Sequence, residues 1–349
     1  MKRWIVFLKQ ILTKLKSQIS YKKVMFFNYI DYINSKELLH YPQKAKCALV
    51  GTPSYGNLGD QLIAVAEMEF LRSIYGNESV FEVSENDVRY RFRRVKKYIK
   101  KNMTIYLQGG GNISDVWTDQ EKLRKKIIKS FDNKMIVFPQ TVFFSNNISE
   151  HKILNKYKDT VAVCAREKYT YEILIRNNIK TYLCPDIAFY LKKRYKHEFK
   201  NQERYGIGVC IRNDFEKSYI NAEEQIFNFL KDKNYKYEAF TTVIDEYITK
   251  AERKEKIDIL LKYISGKEVI ITDRLHAMVM AYLTNTPCIS LANQNKKVEG
   301  TYEWIKNAEN IYFTKNLNDG LEHINQLISQ KNHNDFSYFE NYQKITGLI

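Results

Sequence analysis

Val269-Ile270-Ile271-Thr272-Asp273-Arg274-Leu275-His276-Ala277-Met278-Val279-Met280-Ala281-Tyr282-Leu283 passes from a short β-branched apolar run straight into a helical pattern. Four apolar or β-branched residues bounded by a polar turn read as a buried strand, and the long apolar stretch after His276 reads as a buried helix. In an open parallel sheet, the carboxyl end of a strand feeding a helix N-terminus is where backbone N–H groups and the helix dipole favour an anion. Arg274 supplies a fixed cation at that junction, and His276 an imidazole that can move a proton. Taken alone, the four residues fit equally well a structural histidine beside a surface ion pair.

The same junction recurs along the chain. From about residue 45, apolar runs at 47–50, 80–83, 104–107, 135–138, 161–164 and 181–184 alternate with helical stretches such as 60–74 and 87–99. The alternation restarts at Gly206-Ile207-Gly208-Val209-Cys210-Ile211, continues through 237–243, 268–272 and 287–291, and ends near Ile311-Tyr312-Phe313. Strand–helix alternation predicts an α/β fold with parallel sheets covered by helices on both faces. Residues 45–190 and 205–330 read as two such domains. The charged stretch 191–204, with no apolar core of its own, reads as the linker between them. The aromatic-rich tail, 331–349, reads as a helix returning to the first domain. Two facing sheets leave a cleft lined by the carboxyl ends of strands, where ligands bind by default.

A chain of 349 residues, 44% hydrophobic, can bury a large core. Its formal charge of +16 points to anionic partners, although basic runs such as Arg91-Phe92-Arg93-Arg94-Val95-Lys96-Lys97 also read as an exposed helix face. No nucleic-acid-binding module signature accompanies the charge, so no nucleic acid is expected. Five cysteines without a Cys-x-x-Cys pair, mostly in apolar runs, read as buried reduced thiols of a cytoplasmic protein. No Cys/His cluster suggests a metal. In residues 1–20, Trp4, Ile5, Leu8, Ile11, Leu12, Leu15 and Ile19 share one helical face and lysines fill the rest, a basic amphipathic helix. It suits peripheral docking on the anionic inner face of a membrane, or packing on its own domain. Lys9 interrupts the apolar core that a signal peptide or transmembrane span would need.

Six further strand ends carry chemistry. Gly51-Thr52-Pro53-Ser54-Tyr55-Gly56-Asn57-Leu58-Gly59-Asp60 opens into a helix, without the spacing of a Walker or dinucleotide loop. Gly56, Asn57 and Gly59 let a ligand approach backbone, while Asp60 reads either as an N-cap or as a base for a substrate hydroxyl. Gln108-Gly109-Gly110-Gly111-Asn112 is a costly run of glycines for a mere turn and reads as a ligand loop. Phe138-Pro139-Gln140 places an amide, Gln140, to bond a sugar hydroxyl or cap its turn. Val161-Ala162-Val163-Cys164-Ala165 delivers Arg166-Glu167, a cleft guanidinium or a surface pair. Cys184-Pro185-Asp186 fits turn chemistry, and Arg212 is a weaker third anion candidate.

In order and in strand-end placement, Gly56-Asn57-Leu58-Gly59-Asp60, Gln108-Gly109-Gly110-Gly111-Asn112, Phe138-Pro139-Gln140, Ala165-Arg166-Glu167, Cys184-Pro185-Asp186 and Thr272-Asp273-Arg274-Leu275-His276-Ala277 resemble the polysaccharide pyruvyl transferase family over roughly residues 45–310. The resemblance implies two Rossmann-like domains in a GT-B-like arrangement, phosphoenolpyruvate as donor and no cofactor besides that co-substrate. It implies a saccharide acceptor, lipid-linked if the N-terminal helix docks on a membrane, in capsule, exopolysaccharide or cell-wall polymer synthesis. It also implies Arg166 and Arg274 as donor-binding arginines with Leu275 beside them, His276 as the essential histidine, and Asp60 as the acidic residue of the Gly-rich loop. A GT-B glycosyltransferase using a nucleotide sugar would show the same alternation. A non-catalytic envelope-assembly binding protein would keep the fold and lose the charged residues.

Overall fold

The computed structural model describes residues 26–35, 37, 39–157, 161–199, 202–213, 218–329 and 339–347. The amphipathic segment at residues 1–20 lies outside them. Its strands are β1 (Cys47–Thr52), β2 (Tyr55–Asn57), β3 (Val80–Ser84), β4 (Thr104–Leu107), β5 (Gly110–Ser114), β6 (Met135–Phe143), β7 (Val161–Ala165), β8 (Thr181–Leu183), β9 (Ile207–Cys210), β10 (Tyr237–Ala239), β11 (Val243–Tyr247), β12 (Val269–Thr272), β13 (Cys288–Leu291) and β14 (Ile311–Thr314).

Apolar runs without alternation build two parallel sheets, because such strands bury both faces under helices. The first has the order β3-β1-β4-β6-β7-β8 with β5 added on β6, and the second the order β10-β9-β12-β13-β14. These are the two Rossmann-like halves of a GT-B-like arrangement. In each, the chain changes direction of travel across the sheet once, between β1 and β4 and between β9 and β12. A parallel sheet opens a crevice at such a switch point. The first switch point holds the two glycine loops and the second holds Arg212 and Asp273-Arg274.

Pro139 explains one irregular strand. It lies inside β6, where a proline cannot donate to the ladder. Pairing with β4 ends at Val137, and beyond the proline Gln140, Val142 and Phe143 pair with Gly110, Ile113 and Ser114 of β5. The second glycine loop is thereby fixed to the extension of β6.

The two halves are joined by more than a tether. β2 and β11 form an antiparallel ribbon between them, in which a Cβ on Gly56 would lie 1.9 Å from the Ile244 carbonyl oxygen. Only glycine allows that approach. Lys250 Nζ binds Asp87 at 2.9 Å, and Arg253 binds Glu82 at 2.7 Å and the Gln61 side chain at 2.6 Å. Beneath these pairs, Leu62, Ile63 and Phe70 of helix Leu58–Tyr75 share one apolar cluster with Ile257, Leu261 and Met278. Residues 191–204 were expected to be a linker without a core. They contain helix Lys192–Glu198, because Leu191 and Tyr195 are one turn apart and buried while Lys193, His197 and Glu198 face solvent. The charged majority hides that short apolar stripe. The 237–243 run likewise divides into β10 and the start of β11, since one part pairs with β9 and the other with β2.

Helix Phe339–Thr346 lies against the first half, with Tyr342 buried against Phe70 and its hydroxyl donating to Asp186 O at 2.6 Å. The five cysteines are buried and none forms a disulfide. Among the described residues no helix is long and apolar enough to cross a membrane.

Candidate active site

A cleft of about 560 Å³ lies where the two switch points face each other. Its walls carry Asp60, Gly111, Asn112 and Arg166 from the first half and Arg212, Arg274, His276 and Lys297 from the second. Opposed strand ends converge there because the β2–β11 ribbon holds the halves together on one side.

His276 is in the first turn of helix Leu275–Leu283, whose other residues are buried. Its imidazole lies directly on Gly59, where a Cβ would come within 2.3 Å of Nδ1. Nε2 is buried, without a hydrogen-bond partner, and points toward Asp186 Oδ2 from 3.7 Å. Asp186 does belong to a turn, accepting Ala188 N–H at 3.0 Å, yet its other oxygen receives Arg166 Nη1 at 2.8 Å. Burial by itself would raise that carboxyl. His276 and the Arg166 guanidinium outweigh burial and hold it well below the usual carboxylate range. The ring is thereby held between Gly59 and Asp186. Gly59→Ala is therefore expected to force the ring out of place and lower turnover toward that of a His276 variant. Its thermal unfolding midpoint should fall too, because the added Cβ would also lie 2.6 Å from His276 Cβ, an overlap that rotation of the ring does not relieve. Kinetics and a melting curve on the same preparation check both halves of the statement.

Arg166 is not a surface residue. It is 2% exposed, with Nε donating to Thr141 Oγ1 at 2.6 Å, Glu167 3.6 Å away and Nη2 facing the cleft beside Gly111. Its guanidinium thus connects the Asp186–His276 pair to the ligand space.

Asn57, rather than Asp60, caps helix Leu58–Tyr75, accepting from Gly59 N and Asp60 N. The Asp60 carboxylate is thereby left to line the cleft, where it accepts the Tyr55 hydroxyl at 3.0 Å. Gly110 has φ +119°, a conformation that other residues rarely adopt, and Gly109 N donates to the buried Glu67 at 2.7 Å. Gln140 does not reach the cleft. It is fully buried, and its amide bonds the Asn112 side chain at 2.9 Å, so it fixes Asn112 at the cleft wall from behind. A polar residue inside a strand extended past a proline has no room to turn toward a ligand.

On the opposite wall, Arg274 donates its backbone N–H to Thr272 Oγ1 at 3.0 Å, and its Nε is buried without a partner. Leu275 beside it is 6% exposed and joins the apolar cluster while touching the cleft. Arg212 N donates to Asp273 at 2.9 Å; burial lifts that carboxyl to about 6 despite the two neighbouring arginines. Lys297 is 9% exposed, and a Cβ on Gly111 would meet its Nζ at 3.2 Å. Sequence reasoning did not find Lys297, Asp186 as a partner of His276, or Glu85 and Trp117 at the cleft mouth. Lys297 follows the carboxyl end of β13, the same signal that singled out Arg166 and Arg274.

The polysaccharide pyruvyl transferase family model matches residues 57–295, a span that includes Asp60, Arg166, Arg212, Arg274 and His276 and ends just before Lys297. General stress protein 30 of Bacillus subtilis is 29% identical over 321 residues, covering 88% of this chain and 92% of its own. Pyruvyl transferase 1 of Schizosaccharomyces pombe is 23% identical over 268 residues, covering 71% and 66%. A solved structure of an uncharacterized Klebsiella pneumoniae protein superposes with a TM-score of 0.57 at 18% identity, over 82% of this chain and 98% of that one, and so shares the fold. With two thirds of its length under the family model, the chain belongs to the polysaccharide pyruvyl transferase family.

Proposed function

We propose that the chain transfers the pyruvyl group of phosphoenolpyruvate to two hydroxyls of a saccharide as a ketal. What carries the reading is the convergence of Arg166, Arg212, Arg274 and Lys297 around His276. A small polyanion with a phosphate and a carboxylate suits such a set, since charge-assisted bonds to several donors hold each group. A histidine among them can supply the proton that the donor's methylene carbon requires.

The chemistry balances with these groups. Protonated His276 gives its proton to the methylene carbon, and one acceptor hydroxyl forms a bond to C2 while losing its proton to Asp60. The C2–O bond to phosphate then breaks, and a second hydroxyl closes the ketal and releases its own proton. Two protons leave the acceptor; one replaces that given to carbon and the other departs on phosphate.

Phosphate release from phosphoenolpyruvate, followed with a panel of free and lipid-linked saccharides, tests the reading. Release that depends on acceptor is expected. Turnover with nucleotide sugars and none with phosphoenolpyruvate would replace it with glycosyl transfer. Arg274→Ala is expected to raise the donor KM about tenfold or more, with a smaller change in kcat, because it removes one charged contact made in ground and transition states alike; an unchanged KM would take Arg274 out of the donor site.

The acceptor on this reading is an intermediate of capsule, exopolysaccharide or wall-polymer synthesis at the inner membrane face. The basic amphipathic segment 1–20 supports docking there. A chain lacking residues 1–20 is expected to lose co-sedimentation with anionic vesicles, and full retention would remove that part of the proposal.

A further inference from the structure

The cleft also carries carboxylates. Asp31 and Asp245, both exposed, line its mouth with Trp117, 40% exposed, and Asp60 and Glu85 are less exposed. Glu85 comes from the first turn of helix Glu85–Tyr90 and is 9% exposed. Tyr55 lies between the two inner carboxylates: its hydroxyl binds Asp60, and both Asp60 and Glu85 act on its phenol. A second recess of about 40 Å³ opens beneath Glu85 and Tyr55, and Gln108 is among the residues that line it. Gln108 is 7% exposed, and its Oε1 has no hydrogen-bond partner. That buried carbonyl calls for a donor such as a hydroxyl, since leaving it unmatched costs about 1–3 kcal/mol.

We propose that the mouth of the cleft is the acceptor subsite for an uncharged saccharide diol, stacked on Trp117, with Glu85 beside Asp60 as the second carboxylate and recipient of the second hydroxyl's proton. The proposal rests on the pyruvyl-transfer reading for its chemistry and on the mouth alone for its ligand class. Ketal closure releases two hydroxyl protons in succession, and a single carboxylate that has taken the first is not free for the second. Burial, then the Asp119 and Asp60 carboxylates, push Glu85 up to about 7 against the pull of Arg89 and Ser54, a suitable value for a base working near neutrality. Sugar faces stack on exposed aromatic rings, and carboxylates and amides accept sugar hydroxyls. A uronate at the same place would meet the carboxylates of Asp60 and Glu85, whereas the cations that would welcome it are engaged by the donor.

Saturation-transfer NMR with matched neutral and uronic-acid oligosaccharides, without donor, reads the ligand class directly. Wild type is expected to give transfer from the neutral member, with affinity at least about tenfold above the uronate, and Trp117→Ala to lose it. Glu85→Gln, nearly isosteric, should narrow that preference. Equal binding of uronate and neutral saccharide, or a preference unmoved by Glu85→Gln, overturns the subsite. In acceptor-dependent phosphate release, Glu85→Gln should lower kcat about 100-fold with donor affinity unchanged; a kcat within about threefold of wild type overturns its role as base. Should wild type release no phosphate with any acceptor, the pyruvyl-transfer reading and Glu85's role as base fail together, and the binding experiment decides the ligand class on its own.

Discussion

His276→Ala is expected to lower kcat for acceptor-dependent phosphate release by about 10²–10⁴-fold, equivalent to about 3–5.5 kcal/mol of transition-state stabilisation. Donor affinity should change far less, because Arg166, Arg212, Arg274 and Lys297 all remain around the cleft. The asymmetry follows from position. His276 Nε2 has the ionised Asp186 behind it at 3.7 Å, and the ring lies against Gly59 on the first-half loop, so it is a held proton donor rather than one more cation. Alanine in the first turn of a buried helix preserves the fold, so lost turnover can be read as lost chemistry. Calorimetric titration with phosphoenolpyruvate and single-turnover kinetics check the two quantities separately. A variant with more than about a tenth of wild-type kcat would take proton transfer away from His276.

Much of the fold is legible in the sequence because each parallel strand carries its own signal. β4, β7 and β12 are short apolar runs bounded by turn residues, and the structure buries all five residues of β7 and all four of β12. What the sequence hides is whatever depends on a distant partner. β2 and β11 are polar, three and five residues long, and strands only because Asn57 meets Val243 and Tyr55 meets Tyr247. β5 begins in glycines and pairs with the part of β6 beyond Pro139, where a local reading ends the strand. The Lys192–Glu198 helix fails for the opposite reason: its two apolar contacts are outnumbered by charges.

Site residues divide along similar lines. Strand-end position alone brings Asp60, Arg166, Arg274 and His276 to one cleft. It does not say which way a side chain turns. In the sequence Gln140 and Arg166 both follow strand ends, yet Gln140 lies inside β6, wholly engaged behind Asn112, while Arg166 keeps an edge on the cleft. Asp186 looked like turn chemistry, and its first oxygen is; the second has its role only through Arg166 and His276, each contributed by a separate segment. No spacing within the chain encodes that triad.

Asp186 carries the largest expected effect on stability. Asp186→Asn leaves the guanidinium of Arg166 buried at 2% exposure with Glu167 3.6 Å away as remaining counter-charge, and breaking such a buried pair costs about 3–5 kcal/mol. Glu167 should keep the loss near the lower end. The sign of the pH dependence follows from the direction of the shift. The Asp186 carboxyl is held below its ordinary value in the folded chain, so its contribution is complete above the usual carboxylate range and is lost only as pH falls through the lower folded value. The difference in unfolding midpoint between wild type and Asp186→Asn should therefore stay level from pH 8 to about 5 and shrink only in stronger acid. Activity should fall as well, because Arg166 loses the carboxylate that positions its guanidinium at the cleft wall. Melting curves across pH and turnover of both proteins supply the test. An Asp186→Asn variant as stable and as active as wild type would mean that Arg166 is balanced by Glu167 and that His276 acts without Asp186.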